Sequence, residues 1–117
     1  MLLKLTEEQR LIDASVTEVL SEQYTFAQRM RSLESAQGVN PVLWNQFAEL
    51  GWLGLSVSER YGGLGLGLLE SGLLMAGLGR QLVLEPVWSS AMLAAQVLQT
   101  CAQSRTDMRS EEHTSEL

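Results

Sequence analysis

The side chains able to move protons, attack a carbon or hold a metal are few in this 117-residue chain. Glu59, Glu70 and Glu85 are the carboxylates of its apolar half, apart from Asp107. Acid–base catalysis needs a carboxylate with a partner held in hydrogen-bond reach, and local spacing pairs none of the three. Glu70 and Arg80 lie too far apart along one helix to meet. Glu59 and Glu85 read as loop and helix-end residues, and Glu70 as solvated or partner-facing. Cys101 is the only cysteine, which excludes an internal disulfide and metal sites built on cysteine clusters. Its expected state is a buried thiol acting as a small hydrophobe. Ser89-Ser90 opens an apolar helix, either as first-turn hydroxyls bonded to the backbone or as polar points in a ligand wall. Gly62-Gly63-Leu64-Gly65-Leu66-Gly67 invites a nucleotide-loop reading. That reading fails, because the sixth position counted from Gly63 is Leu68 and no Lys-Ser/Thr pair completes a phosphate loop. A glycine turn packed against helices is expected instead.

Composition narrows the function classes further. A net charge of −6 with no basic run argues against a nucleic-acid partner. Hydrophobic content of 45% with 19% charged residues fits a globular domain and not a disordered one. No signal peptide is visible at the N-terminus. The most apolar stretch, Leu64 to Val87, is broken by Glu70, Arg80 and Glu85, so no membrane span is expected. The default is a cytoplasmic protein. The last nine residues, Arg109 to Leu117, read as the conceptual translation of a short-read sequencing adapter. On that reading native sequence covers 1–108, the net charge is −4, His113 drops out as a candidate base or ligand, and the open frame is truncated.

The elements that would position any site are helical. Thr6-Glu7-Glu8-Gln9 spells a capping box, and behind it Ile12, Val16, Val19 and Leu20 form one apolar stripe. A short second helix follows, with Phe26, Met30 and Leu33 expected on its buried side and Arg29 and Arg31 in solvent. Asn40 and Pro41 start a third helix as N-cap and first residue. Leu43, Trp44, Phe47 and Leu50 make its apolar face, and Gly51 stands where a left-handed residue ends it. Trp52 to Val57 reads as a buried extended connector and Ser58 to Gly67 as loop. A fourth helix is expected from Leu68 to Leu84 and a fifth from about Val87 to Gln103, both apolar nearly all round and therefore central. Gly72, Gly77 and Gly79 inside the fourth imply close approach of a neighbour. Nine of the ten glycines lie between Gly51 and Gly79. The fold class is all-α: an orthogonal bundle of about five helices, with a glycine-rich loop between the third and fourth.

Three ordered stretches carry a resemblance: LW-x-x-x-AELG-W-LGL-x-V from Leu43, E-x-YGGLGLG from Glu59, and LGR-x-LVLEP from Leu78. Together with Leu5-Thr-Glu-Glu-Gln9 they resemble the N-terminal helical domain of the acyl-CoA dehydrogenase family, over Leu5 to Ser104. Leu82-Val-Leu-Glu-Pro86 looks most like small subunits of the pimeloyl-CoA dehydrogenase type. Ser58 stands where the family usually has proline, which implies a less rigid loop. The resemblance implies an FAD-dependent oxidoreductase that removes hydrogens from the α and β carbons of an acyl-CoA thioester. It further implies an electron-accepting flavoprotein as partner and a homo- or hetero-oligomeric parent. The family binds FAD in a middle β-domain and carries its base in a C-terminal helical domain, both missing from this chain. What remains walls the acyl pocket, and rough alignment places Ser89, Ser90 and Leu93 against the acyl tail. The chain by itself would then be inactive, with no catalytic, cofactor or metal residues of its own. The alternative is a small non-enzymatic helical adaptor that holds a partner helix in an apolar groove. An isolated domain is also expected to expose an apolar patch near Trp88 to Leu93 and to self-associate.

Overall fold

Thr6 starts the first helix as its spacing predicts. The Gln9 N–H donates to Thr6 Oγ1 at 3.2 Å, and the Thr6 N–H donates to Gln9 Oε1 at 2.9 Å. Two donors that a helix start leaves unpaired are thereby satisfied. In the computed structural model, which describes residues 4–115 with side chains through Arg105, five α-helices follow one another. They are α1 (Glu7–Gln23), α2 (Phe26–Glu34), α3 (Pro41–Glu49), α4 (Leu68–Arg80) and α5 (Ala95–Ser115). Single 3₁₀ turns lie at Trp52–Gly54 and Glu59–Tyr61, and a π-helical segment, Trp88–Ala94, leads into α5. There is no strand among the described residues. The adapter-like tail from Arg109 falls where side chains are outside the described residues, as does the His113 ring.

The core forms where the apolar stripes meet. Val16 and Leu20 of α1 are buried with Leu43 and Phe47 of α3, Leu74 and Leu78 of α4, and Val87 and Ala91 after it. Asn40 Oδ1 caps α3 by accepting from the N–H groups of Val42 and Leu43. Gly51 ends that region at φ +84°, and the reversal lays Trp52 on Phe47 with ring centroids 4.8 Å apart. The most extensive helix-on-helix packing is that of α1 on α4. A Cβ at Gly77 would overlap Val16 Cγ1, whereas one at Gly72 would meet nothing within 4 Å. Of the three glycines in α4, Gly77 is the one that α1 requires. Gly72→Ala is therefore expected to raise stability by up to about 1 kcal/mol through helix propensity. Gly77→Ala should lower it by about 1–3 kcal/mol through overpacking, and urea unfolding of both variants checks the opposite signs.

Four expectations about the elements change. In α2, Phe26 is 76% and Leu33 52% exposed, Met30 is half-buried, and Ser32 is the buried residue at 2%. The helix turns its polar side inward because a buried carboxylate, Glu85, lies beneath it. Arg29 is also engaged, its Nε donating to the Leu82 carbonyl at 2.9 Å. Trp52 to Val57 is not extended. The N–H groups of Gly54 and Val57 donate to the carbonyls of Gly51 and Gly54 in successive tight turns that bury Trp52 and Leu55. Helix α4 stops at Arg80, four residues early, because Leu82 adopts φ +53°. The Val83 N–H bonds the Leu78 carbonyl and the Leu82 N–H the Gly79 carbonyl, the pairing of a Schellman stop. A leucine in the left-handed position gives no sequence signal for that stop, and it costs roughly 1 kcal/mol. Finally, Cys101 is exposed on α5, as are Val97 and Leu98 before it.

Glu85 is the largest revision of the sequence reading. It is 4% exposed, not a solvated helix-end residue. The Tyr24 hydroxyl donates to its Oε2 at 2.7 Å, and the Asn40 N–H and Ser32 hydroxyl donate to Oε1 at 3.0 and 3.5 Å. Tyr24 Oη in turn accepts from the Leu84 N–H at 2.9 Å. One carboxylate thus joins the end of α1, the last turn of α2, the cap of α3 and the link from α4 to α5. Burial first, and the Glu85 hydrogen bond second, push the Tyr24 phenol up to about 12 from its ordinary 10.0. A pKa raised in the folded state contributes stability that is complete below pH 10 and lost as pH rises toward 12. Stability should therefore fall by about 2 kcal/mol across that window, and urea melts from pH 9 to 12 should show Tyr24→Phe without this component.

Candidate functional site: an apolar groove between the glycine turn and α5

The glycine turn is closed on itself. Gly62 and Gly65 take φ +86° and +65°, and Gly63 has no room for a Cβ, which would overlap the Val57 carbonyl. The N–H groups of Gly62, Gly63, Leu64, Gly65 and Leu66 donate to the carbonyls of Glu59, Ser58, Gly54, Val57 and Leu55, at 2.8 to 3.1 Å. A phosphate cradle needs such groups free and convergent. These five are spent inside the protein, so the loop is a structural turn, as its spacing predicts.

Two glutamines of α5 fasten this turn. Gln99 Oε1 accepts from the Ser58 N–H at 2.7 Å, and Gln96 Nε2 donates to Ser56 Oγ at 2.7 Å. Ser58 is the residue that stands in place of a proline, and proline has no N–H to donate. The departure from the resembled pattern thus supplies a tether to α5, where the sequence implied only a looser loop.

Below the turn, a groove of about 450 Å³ opens between the first turn of α4 and the start of α5. Leu66, Leu68 and Met92 line it with Gly67, the Ser56–Gln96 pair closes one part, and Ser71 lies in its wall. Ser71 is 1% exposed, and its Oγ has no hydrogen-bond partner among the described residues. Beside Ser71 in the chain, Glu70 Oε2 accepts from the Gly67 N–H and Oε1 from Gln9 Nε2, both at 3.1 Å. The Gln9 bond first, then backbone N–H groups at the helix start, hold the Glu70 carboxyl below its usual range. Glu70 is therefore a helix cap joined to α1, not a poised base. A second, apolar cleft of about 310 Å³ lies further along α5, between Tyr61, Leu98 and Ala102.

The predicted site residues Ser89, Ser90 and Leu93 all fall on the π segment. The Ser89 hydroxyl donates to the Pro86 carbonyl at 3.1 Å, the backbone-bonded alternative. Ser90 is half-buried and Leu93 is 54% exposed. None of the three lines the groove, which takes Met92 from that segment. Trp88, Leu93, Val97 and Leu98 all stand more than half exposed along this face. Ser56, Ser71 and Gln96 escaped the sequence reading. Ser71 had a signal, as the lone hydroxyl in a helix that besides Glu70 and Arg80 is built of apolar residues and glycine. The other two are recognisable only once α5 lies against the turn.

Among the described residues no group of three metal-binding side chains assembles, and no helix is long and apolar enough to cross a membrane. The family model for the acyl-CoA dehydrogenase N-terminal domain matches residues 6–106. No curated protein and no solved structure gives a significant match. The match begins at the Thr6 cap and runs through the turn, the groove and α5, so the chain belongs to the acyl-CoA dehydrogenase family, of which it carries the N-terminal domain.

Proposed function

We propose that this domain is the acyl-facing wall of an FAD-dependent acyl-CoA dehydrogenase, an enzyme that desaturates an acyl-CoA between its α and β carbons. The observation that carries this reading is the family match over residues 6–106. The groove beside Met92 and the exposed apolar face of the π segment support it. On this reading Ser89, Ser90 and Leu93 face the acyl tail in the assembled enzyme. FAD and the catalytic base belong to a middle β-domain and a C-terminal helical domain outside residues 1–108, and 109–117 is not native sequence. The residues present here do not fit a flavin site, because the N–H groups of the glycine turn are committed internally. An electron-accepting flavoprotein and further subunits would be partners of the assembled enzyme, with its substrate acyl-CoA. Leu82 to Pro86, the segment that resembles the pimeloyl-type subunits, builds the Schellman stop and the Glu85 knot. Those roles explain the segment without reference to acyl chain type.

Resequencing the locus across Met108 tests the reading. An open frame running on into a flavin-binding domain is expected, and a stop codon there would favour the self-contained adaptor. Absorbance gives a second check. The purified chain should carry no stoichiometric flavin, and a yellow protein would overturn the placement of FAD outside it.

A further inference from the structure

We infer that Gln99 anchors a separate site for a small neutral carboxamide, whose apolar body lies in the cleft beside Tyr61 and whose amide lies in the polar hollow next to it. Gln99 is the residue that lines both spaces. The cleft, of about 310 Å³, is walled by Val57, Tyr61, Ala95, Leu98 and Ala102, and presents a ligand with carbon surface. The hollow, of about 550 Å³, is bounded by Ser56, Ser58, Glu59 and Gly65. Only Ser56 is shared with the groove at Met92, so the site does not rest on the acyl-wall reading.

The Ser58 N–H fixes which way the Gln99 amide faces. It donates to Gln99 Oε1 at 2.7 Å, and only the oxygen of a carboxamide can accept. Nε2 is left with its two protons and no hydrogen bond among the described residues. Ser71 Oγ is the sole buried side-chain polar atom unpaired among those residues, so Nε2 of the half-buried Gln99 keeps its access to water. A ligand oxygen can take the place of that water. Glu59 supplies the complement: its carboxylate is exposed and accepts no hydrogen bond among the described residues. A carboxamide carries, in one planar group, an acceptor for Gln99 Nε2 and an N–H for Glu59. A carboxylate has acceptors only and would face the Glu59 charge. No lysine or arginine lines either space to offset it, and Arg60 lies over the Tyr61 ring at 5.6 Å. A hydrocarbon fills the cleft but displaces water from Gln99 and Glu59 without replacing its hydrogen bonds.

Ligand-observed saturation-transfer NMR on the full chain tests this with benzamide, toluene and benzoate, which share a ring and differ in its polar group. Benzamide is expected to bind more tightly than either analogue. Gln99→Glu is the diagnostic variant, because its carboxylate still accepts from the Ser58 N–H while the Nε2 donor is gone. It should weaken benzamide about 3- to 10-fold, the size of one hydrogen bond, and leave toluene unchanged. An amide turned over to donate to the new carboxylate would press its oxygen against Glu59. Gln99→Met, without charge or donor, should give the same loss and serves if the glutamate variant is unstable. Glu59→Gln should remove most of the discrimination against benzoate. Equal benzamide binding by wild type and Gln99→Glu would overturn the proposal, as would tighter binding of benzoate or toluene than of benzamide. Two further variants fix the location. Ala95→Trp, which fills the cleft, should abolish binding of benzamide and toluene, and Met92→Trp, which fills the groove, should change neither. The reverse result would put the probes in the groove, so that this site falls while the acyl-wall reading stands.

Discussion

Glu85→Ala is expected to destabilise the domain by about 3–5 kcal/mol, the largest effect of any single side-chain truncation outside the apolar core. The carboxylate is 4% exposed and accepts from Tyr24 Oη, the Asn40 N–H and the Ser32 hydroxyl. Truncation leaves these donors facing a void from which water is excluded, and each orphaned group costs roughly 1–3 kcal/mol. The loss also unfastens α1, α2 and α3 from the link between α4 and α5 together, so the transition should remain cooperative and move as a whole. Glu85→Gln keeps an acceptor oxygen but turns a donor toward one of the existing donors, and should cost about half as much. Urea denaturation followed by tryptophan fluorescence reads both. A Glu85→Ala variant within 1 kcal/mol of wild type would mean that the knot is incidental to the fold.

Gly63→Ala is the second large effect, about 3 kcal/mol or more, and its neighbour is the control. A Cβ at Gly63 would overlap the Val57 carbonyl and Cβ, and a backbone atom cannot rotate aside as a side chain can. Relief would require parting the segment Gly54 to Val57 from Leu64 to Leu66, which three backbone hydrogen bonds hold together. At Gly62 a Cβ meets nothing within 4 Å, and the cost there comes only from φ +86°. Gly62→Ala should therefore lose about 1 kcal/mol. Since the same turn carries Leu66 and Gly67 into the groove, Gly63→Ala should also weaken groove ligands where Gly62→Ala does not. Equal effects of the two substitutions would show that the turn is limited by dihedral angle and not by the close approach.

Local chemistry was legible wherever a few neighbouring residues decide the outcome. The Thr6–Gln9 box, the Asn40-Pro41 start of α3 and the left-handed Gly51 are contests settled within three or four residues, and their sequence signatures state the result. The stripes of α1 and α3 were legible because apolar positions that recur at helical spacing are the ones the core takes, save Leu50, which caps the end of α3 and is 40% exposed. The family motifs belong to the same class, since positive φ at Gly62 and Gly65 and the close approach at Gly63 favour glycine there.

Only the tertiary structure decided which side of α2 is inside. Phe26 and Leu33 point outward because a carboxylate 53 positions from Ser32 needs donors, and no window of nine residues contains that information. The early stop of α4 was hidden for a related reason: tertiary packing holds Leu82 in a conformation its own side chain disfavours. The groove, too, exists only between elements. Ser56, Ser71 and Gln96 are unremarkable polar residues along the chain, and they come to line one groove because α5 crosses the glycine turn. Sequence determines what each residue can donate, accept or bury. Which of those capacities is left unspent, as at Ser71, depends on partners brought together across the fold.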